Sequence, residues 1–401
     1  MKLTFSHLFL FIQLSAIFVH SQTDHGVPVD SFPSWREQAL IVFTNAVRTD
    51  PQGFRDKYIG NYQILLPKNF QAQRPLFWNV ALNRAARFHS IDMATNCGMQ
   101  HNSCDGTAFS VRVKKYYTAS GWLGENIATG YTSPQAVVIG WLRDDTGTTV
   151  RNPSADSSAY DGHRRNIMNS VYREMGAGYA KGAVKWYEFW TQDFGGGKNI
   201  FSSRPVVIGS HLFLETDKIT FMVSYYDSTG RTPQSAQLNL GDSVYPLTLH
   251  LGSSSRGSYA AALPKKTTCR QYHFSFKDGS GNSWRYPEKG RFSTYGEGSC
   301  TQYYLPDVNT AEEAAYPNLS AKKNNLRVMN SSSISINLPA SSISSIYVTD
   351  LLGRKIPLVL QKGNSGNTSV ISKSPLRSGV YIAHIETHSG LPINLKFLIL
   401  R

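Results

Sequence analysis

Gly124-Glu125-Asn126-Ile127-Ala128 is the stretch on which the reading of the fold turns. It lies between helical patterns in a chain half that mixes helix and strand. Upstream, Trp35, Leu40, Ile41, Phe43 and Val47 give residues 34 to 48 an amphipathic helical period, which Asp50-Pro51 ends. Residues 81 to 94 repeat the pattern, with Leu82, Ala85, Ala86, His89 and Met93 on one side. That spacing makes His89 a helix residue packed beside Met93 rather than a ligand. Downstream, Ser133-Pro134 reads as an N-cap followed by proline at the first helical position, opening a helix that carries Val137, Val138, Trp141 and Leu142. Strands follow at Gly176 to Lys181 and Lys185 to Phe194.

Further along, the texture changes. From Arg204 the runs Val206 to Ile208, Ile219 to Tyr226, Ser243 to His250 and Tyr272 to Phe276 are short and β-rich, with turn residues between them. They predict a β-sandwich over 204–304. Within it, Asp278-Gly279-Ser280-Gly281-Asn282 reads as a hairpin turn, because the flanking carboxylates of a calcium loop are missing. Residues 305–325 read as a linker. A last module over 326–401 alternates polar and apolar residues at the strand period in Ser333 to Leu338, Ile346 to Asp350 and Val380 to Ile385.

Composition sets the outer bounds. A chain of 401 residues exceeds one compact core, so two or three domains are expected. A net charge of +14 favours loose attraction to acidic surfaces, yet no Lys/Arg block interleaved with aromatics occurs, which argues against nucleic-acid binding. Lys2, the apolar run Leu8 to Val19 and the small residue at Ser21 read as a signal peptide over residues 1–21. No later stretch approaches the ~20 apolar residues of a transmembrane helix. The protein is therefore expected to be secreted or held at the cell surface. Four cysteines in an exported chain suggest disulfides, with three connectivities open.

Six segments in order carry a resemblance: Asn45-Ala46-Val47-Arg48 with Asp50-Pro51, Leu76-Phe77-Trp78-Asn79, the Gly124 to Ala128 pentapeptide, Trp141, Gly162-His163-Arg164-Arg165-Asn166-Ile167-Met168, and Trp190-Thr191-Gln192-Asp193-Phe194-Gly195. Together they resemble the CAP superfamily of cysteine-rich secretory proteins, antigen 5 and pathogenesis-related 1. The resemblance implies an α+β fold, an α-β-α sandwich over 30–200, followed by two all-β modules. It selects the local disulfides Cys97 with Cys104 and Cys269 with Cys300. It also implies a cleft in which His101, Glu125, Asp144 and His163 converge and can hold a divalent metal such as zinc, since imidazole and carboxylate suit that ion. Asp145 stands beside the fourth position.

The implied function is a secreted or surface-displayed protein binding a lipid, envelope glycan or host component in this cleft. Two alternatives stay open: a metal-dependent hydrolase of peptide or envelope polymer using Glu125, and an adhesion protein with a vestigial cleft. Neither His-Glu-x-x-His nor Gly-x-Ser-x-Gly occurs, so no residue is assigned a catalytic role from sequence alone. Finally, Tyr347 to Arg354, Leu376 to Ile382 and Lys396 to Leu400 resemble the C-terminal sorting domain of the type IX secretion route. That resemblance implies the export machinery as a partner.

Overall fold

Ser34 starts the first helix, α1 (Trp35–Thr49), through a complete capping box: its side chain accepts from the Glu37 amide and Glu37 accepts from the Ser34 amide. The computed structural model describes residues 26–28, 33–144, 156, 161–182, 188–197, 204–306 and most of 326–399. The expected signal peptide of residues 1–21, Asp145 and nearly all of the expected linker lie outside the described residues.

Asp50-Pro51 ends α1 as expected, but the same pair opens α2 (Pro51–Tyr58), which the sequence reading did not foresee. Asp50 caps it through the Gly53 amide, and proline sits where its missing N–H costs nothing. After β1 (Phe77–Trp78) comes α3 (Val80–Asp92), capped by Asn79. A π-helical turn, Met93–Cys97, leads into the loop closed by Cys97–Cys104. Then follow α4 (Phe109–Lys114), β2 (Leu123–Thr129), α5 (Pro134–Arg143), α6 (Gly162–Met168), β3 (Glu174–Lys181) and β4 (Glu188–Gly195).

The four strands form one sheet in the order β1-β3-β4-β2, with β1 parallel to β3 and the other pairs antiparallel. Strand alternation divides the residues between two faces. Met175, Ala177, Trp190 and Phe194 join α1, α5 and α6 in one core. The other face receives α3, and glycine lets it come close. A Cβ on Gly178 would lie 2.2 Å from the Ala86 carbonyl oxygen, so helix and strand backbones meet directly there. Helices on both faces make the α-β-α arrangement.

Two antiparallel sheets complete the larger unit. One has the order β5 (Val206–Leu212), β6 (Lys218–Tyr226), β10 (Arg256–Pro264), β9 (Thr248–Ser253). The second joins β14 (Tyr304–Leu305), β13 (Arg291–Ser293), β11 (Gln271–Lys277), β7 (Ser235–Leu240) and β8 (Ser243–Pro246), with β12 (Ser283–Tyr286) on β11. Asp278 builds the turn between β11 and β12: its side chain accepts from the amides of Ser280 and Asn282 and from Trp284 Nε1. That is a hairpin turn closed on itself, as the residues imply. Cys269–Cys300 links the β10–β11 connection to the chain just before β14.

One hydrophobic core runs from α1 into these sheets, from Phe43 and Val47 through Ile208 and Phe221 to Phe274 and Phe292. Trp35 Nε1 donates to the His211 carbonyl at 2.9 Å, and its ring stacks on the His211 imidazole. Gln38 donates to the Gly209 carbonyl at 2.8 Å and meets Tyr286 Oη at 2.7 Å. Residues 308–401 form a separate unit. It holds two four-stranded antiparallel sheets, β15 (Leu326–Asn330), β16 (Ser333–Pro339), β20 (Asn367–Ser372), β19 (Leu358–Lys362), and β18 (Lys355–Ile356), β17 (Ile343–Asp350), β21 (Gly379–Thr387), β22 (Pro392–Ile399). Val348, Tyr381, Ala383 and Ile385 are buried in it.

Candidate functional site

The pentapeptide occupies β2, an edge strand, and alternation sends its side chains to opposite faces. Gly124 is required for close packing, since a Cβ there would sit 2.3 Å from Tyr172 Oη. Glu125 and Ile127 face the α3 side, where Ile127 packs with Met93 and Phe189. Asn126 faces α6. Its Nδ2 donates to Gln192 Oε1 at 3.0 Å and to the His163 carbonyl at 3.3 Å. Asn166 Nδ2 returns to the Glu125 carbonyl at 3.1 Å and to Asn126 Oδ1 at 2.9 Å. The free edge of β2 is thus tied to the helix that carries His163.

Each predicted histidine meets a predicted acid. His101 Nδ1 lies 2.8 Å from Glu125 Oε1, with the imidazole half exposed and the carboxylate side chain 1% exposed. His163 Nδ1 lies 2.6 Å from Asp144 Oδ1, with side chains 35% and 8% exposed. Asp144, the C-cap of α5, takes a left-handed conformation with φ 53°. Its other oxygen lies 3.6 Å from Arg164 Nη1. Among the described residues neither Nε2 atom has a partner, and no group of three or more His, Cys, Asp or Glu is arranged to hold a metal. The four residues are therefore arranged as two imidazole–carboxylate pairs, His101 with Glu125 of β2 and His163 of α6 with Asp144.

Behind Glu125 stands a set of buried charges that sequence reading missed. Arg112, on α4, is 1% exposed. Its Nη2 is bonded to Glu125 Oε2, and its Nη1 donates to the His101 carbonyl at 2.9 Å and to Ser103 Oγ at 3.3 Å. His89 is fully buried, with Nε2 2.8 Å from the Gln100 carbonyl and 3.9 Å from Glu125 Oε2. Burial pushes its imidazole down to about 4 despite the Glu125 charge, so it is neutral at pH 7. Asp193 faces Glu125 directly across the β2–β4 register and is fully buried, with no well-formed hydrogen bond to either oxygen. Burial, then the Glu125 charge, raise its carboxyl well above the usual range. The sequence does hold one signal for this face. Glu125 alternates with Ile127, and Asp193 alternates with Thr191, so both acids point away from the Trp190–Phe194 core.

These features can be compared with known proteins. Residues 44–194 match the cysteine-rich secretory protein family, CAP, and residues 316–400 match the secretion system C-terminal sorting domain. The chain carries a CAP domain and a type IX sorting domain. Over 125 residues it is 30% identical to the uncharacterized protein YkwD of Bacillus subtilis (strain 168), covering 31% of this chain and 40% of that protein. The chain thus spans less than half of that relative. Among solved structures, an outer surface protein from Borrelia burgdorferi is 20% identical at a TM-score of 0.24, covering 31% of this chain and 78% of that one. An extracellular SCP-domain protein from Bacillus anthracis str. Ames is 24% identical at a TM-score of 0.23, covering 37% of this chain and 40% of that one. The sorting domain directs the protein to secretion or the cell surface, and no described helix is long and apolar enough to cross a membrane.

Proposed function

We propose that the CAP domain, once exported, binds a lipid, envelope or host component at an open cleft centred on His101 and His163, and that these two imidazoles can share a divalent ion such as zinc. The observation that supports this reading is the hydrogen bonding of the two rings. Each Nδ1 is held by a carboxylate, and among the described residues neither Nε2 has a partner. A histidine that binds metal through one nitrogen commonly gives its other N–H to a carboxylate, which fixes the ring and strengthens the ligand. Imidazole nitrogens held in that way suit zinc by their chemistry: His101 and His163 would hold the ion, Glu125 and Asp144 would orient them, and water or ligand would fill the remaining positions. Bound there, zinc would polarise a coordinated ligand oxygen.

A hydrolase reading draws less support. Both oxygens of Glu125 are engaged by protein and the side chain is 1% exposed, so no face of it is turned to solvent water. Zinc titration of the full chain by calorimetry tests the proposal. The expected outcome is saturable binding near one ion per chain, abolished in His101→Ala/His163→Ala. No heat from the wild-type protein, or undiminished binding by the double variant, would sink it.

A further inference from the structure

We infer that Arg112 is the positioning residue of this cleft, setting which nitrogen of His101 carries the proton. The inference rests on the reading of the cleft as a ligand site, and it names what holds that site in order.

The guanidinium grips both partners of the first pair at once. It bonds the Glu125 carboxylate through Oε2, so that Oε1 alone is left to face the imidazole. It holds the His101 main chain through the carbonyl at 2.9 Å, and it reaches Ser103 Oγ on the same loop at 3.3 Å. The loop is closed by Cys97–Cys104 and is pinned at its far end by the Cys104 amide donating to Asp92 Oδ2 at 2.8 Å. Acid and loop therefore meet through one buried fork. An ionised carboxylate can only accept, so His101 must donate from Nδ1, and in the neutral ring Nε2 is then the nitrogen that carries the lone pair. Without Arg112 the Glu125 oxygens would be free to turn toward His89 Nε2, already 3.9 Å from Oε2. Lysine could supply the charge, but its single ammonium cannot reproduce the planar fork.

Among the described residues no such fork reaches His163. The Arg164 contact is with Asp144 at 3.6 Å, and its Nη1 donates instead to the Leu142 carbonyl at 2.7 Å.

The test is nitrogen NMR on the full chain labelled with 15N-histidine, which reports the tautomer of His101 directly and needs no metal. The wild-type ring should show Nδ1–H as the dominant form. In Arg112→Met the tautomer ratio should move at least about tenfold toward Nε2–H, and zinc chloride affinity should fall about 10- to 100-fold. Arg112→Lys should lie between the two, and it decides the matter where Arg112→Met does not fold. Wild-type tautomer ratios in the folded variants would overturn the inference. Should zinc bind no form of the protein while the tautomer still shifts, the role of Arg112 stands and the metal reading falls. A wild type that binds zinc with a tautomer indifferent to residue 112 gives the reverse.

Discussion

The His101–Glu125 and His163–Asp144 pairs share one kind of hydrogen bond and differ in what stands behind the acid. Glu125 comes from the middle of a strand, and it is backed by Arg112, His89 and Asp193, all buried. Asp144 comes from a helix end, and its nearest charge is Arg164 at 3.6 Å. The first pair therefore backs onto a buried cation and a second buried acid, whereas the second backs onto Arg164, a buried cation that Asp156 also faces at 3.3 Å and that keeps this partner if Asp144 is lost. In a low-dielectric interior every member of a buried charge network depends on the others, because an orphaned charge costs far more than a lost exposed contact.

The largest expected effect tests that difference head-on. Arg112→Met leaves Glu125 buried without its counter-charge and should cost about 3–5 kcal/mol of unfolding free energy. Asp144→Asn should cost about 1 kcal/mol. Urea unfolding of the two variants measures both, and equal losses would erase the contrast.

Acid should expose the network next. The folded His89 titrates near 4, below its unfolded value near 6.5. Its contribution is thus full above pH 6.5 and is lost as pH falls from there toward 4, by about 3 kcal/mol at most. The charged groups that face it are Glu125, Arg112 and Asp92. His211, buried and likewise lowered to about 4, adds a loss of the same sign. Urea midpoints at pH 7.5 and 4.5 should therefore differ less in His89→Gln than in the wild type.

The smallest effect carries the opposite sign. Asp193 holds its proton in the folded state at pH values where the unfolded chain has lost it, so its burial costs stability as pH rises above about 3.8. Asp193→Asn should raise stability to urea at pH 7 by about 1 kcal/mol or more, and leave it unchanged at pH 3.5. A neutral-pH loss would mean that Asp193 supports Glu125 as an anion.

The four residues of the proposed cleft could be named from the sequence because each stands in a short ordered motif. The structure pairs them two by two, an outcome that spacing alone does not reveal. Arg112 was not legible: Phe109–Lys114 is under two turns, too short for a period to emerge, and nothing local marks its arginine as buried. Asp193 was visible inside the Trp190 to Gly195 segment, yet its meaning depends on the β2–β4 register. The α-β-α fold followed from the resemblance carried by those motifs, and the residue pattern added the change to a purely β-rich texture at Arg204. Helix α1 shows the limit of that method. Glu37, Gln38 and Arg48 are as buried as its apolar residues, and each bonds partners distant in sequence. An amphipathic pattern records one buried face and is silent about a second that is polar and hydrogen-bonded.

The burial of α1 on every side also bears on how such a chain can be divided. The family boundary at Gly195 or thereabouts marks a unit of descent, whereas Trp35 and Gln38 spend their hydrogen bonds on His211, Gly209 and Tyr286 beyond it. Excising the CAP segment alone would leave a tryptophan, a glutamine and the apolar surface around them facing water. The smallest piece that keeps the surroundings of α1 whole is the one reaching Asp307, and domain swaps between relatives would have to carry the β-sandwich along with the CAP segment.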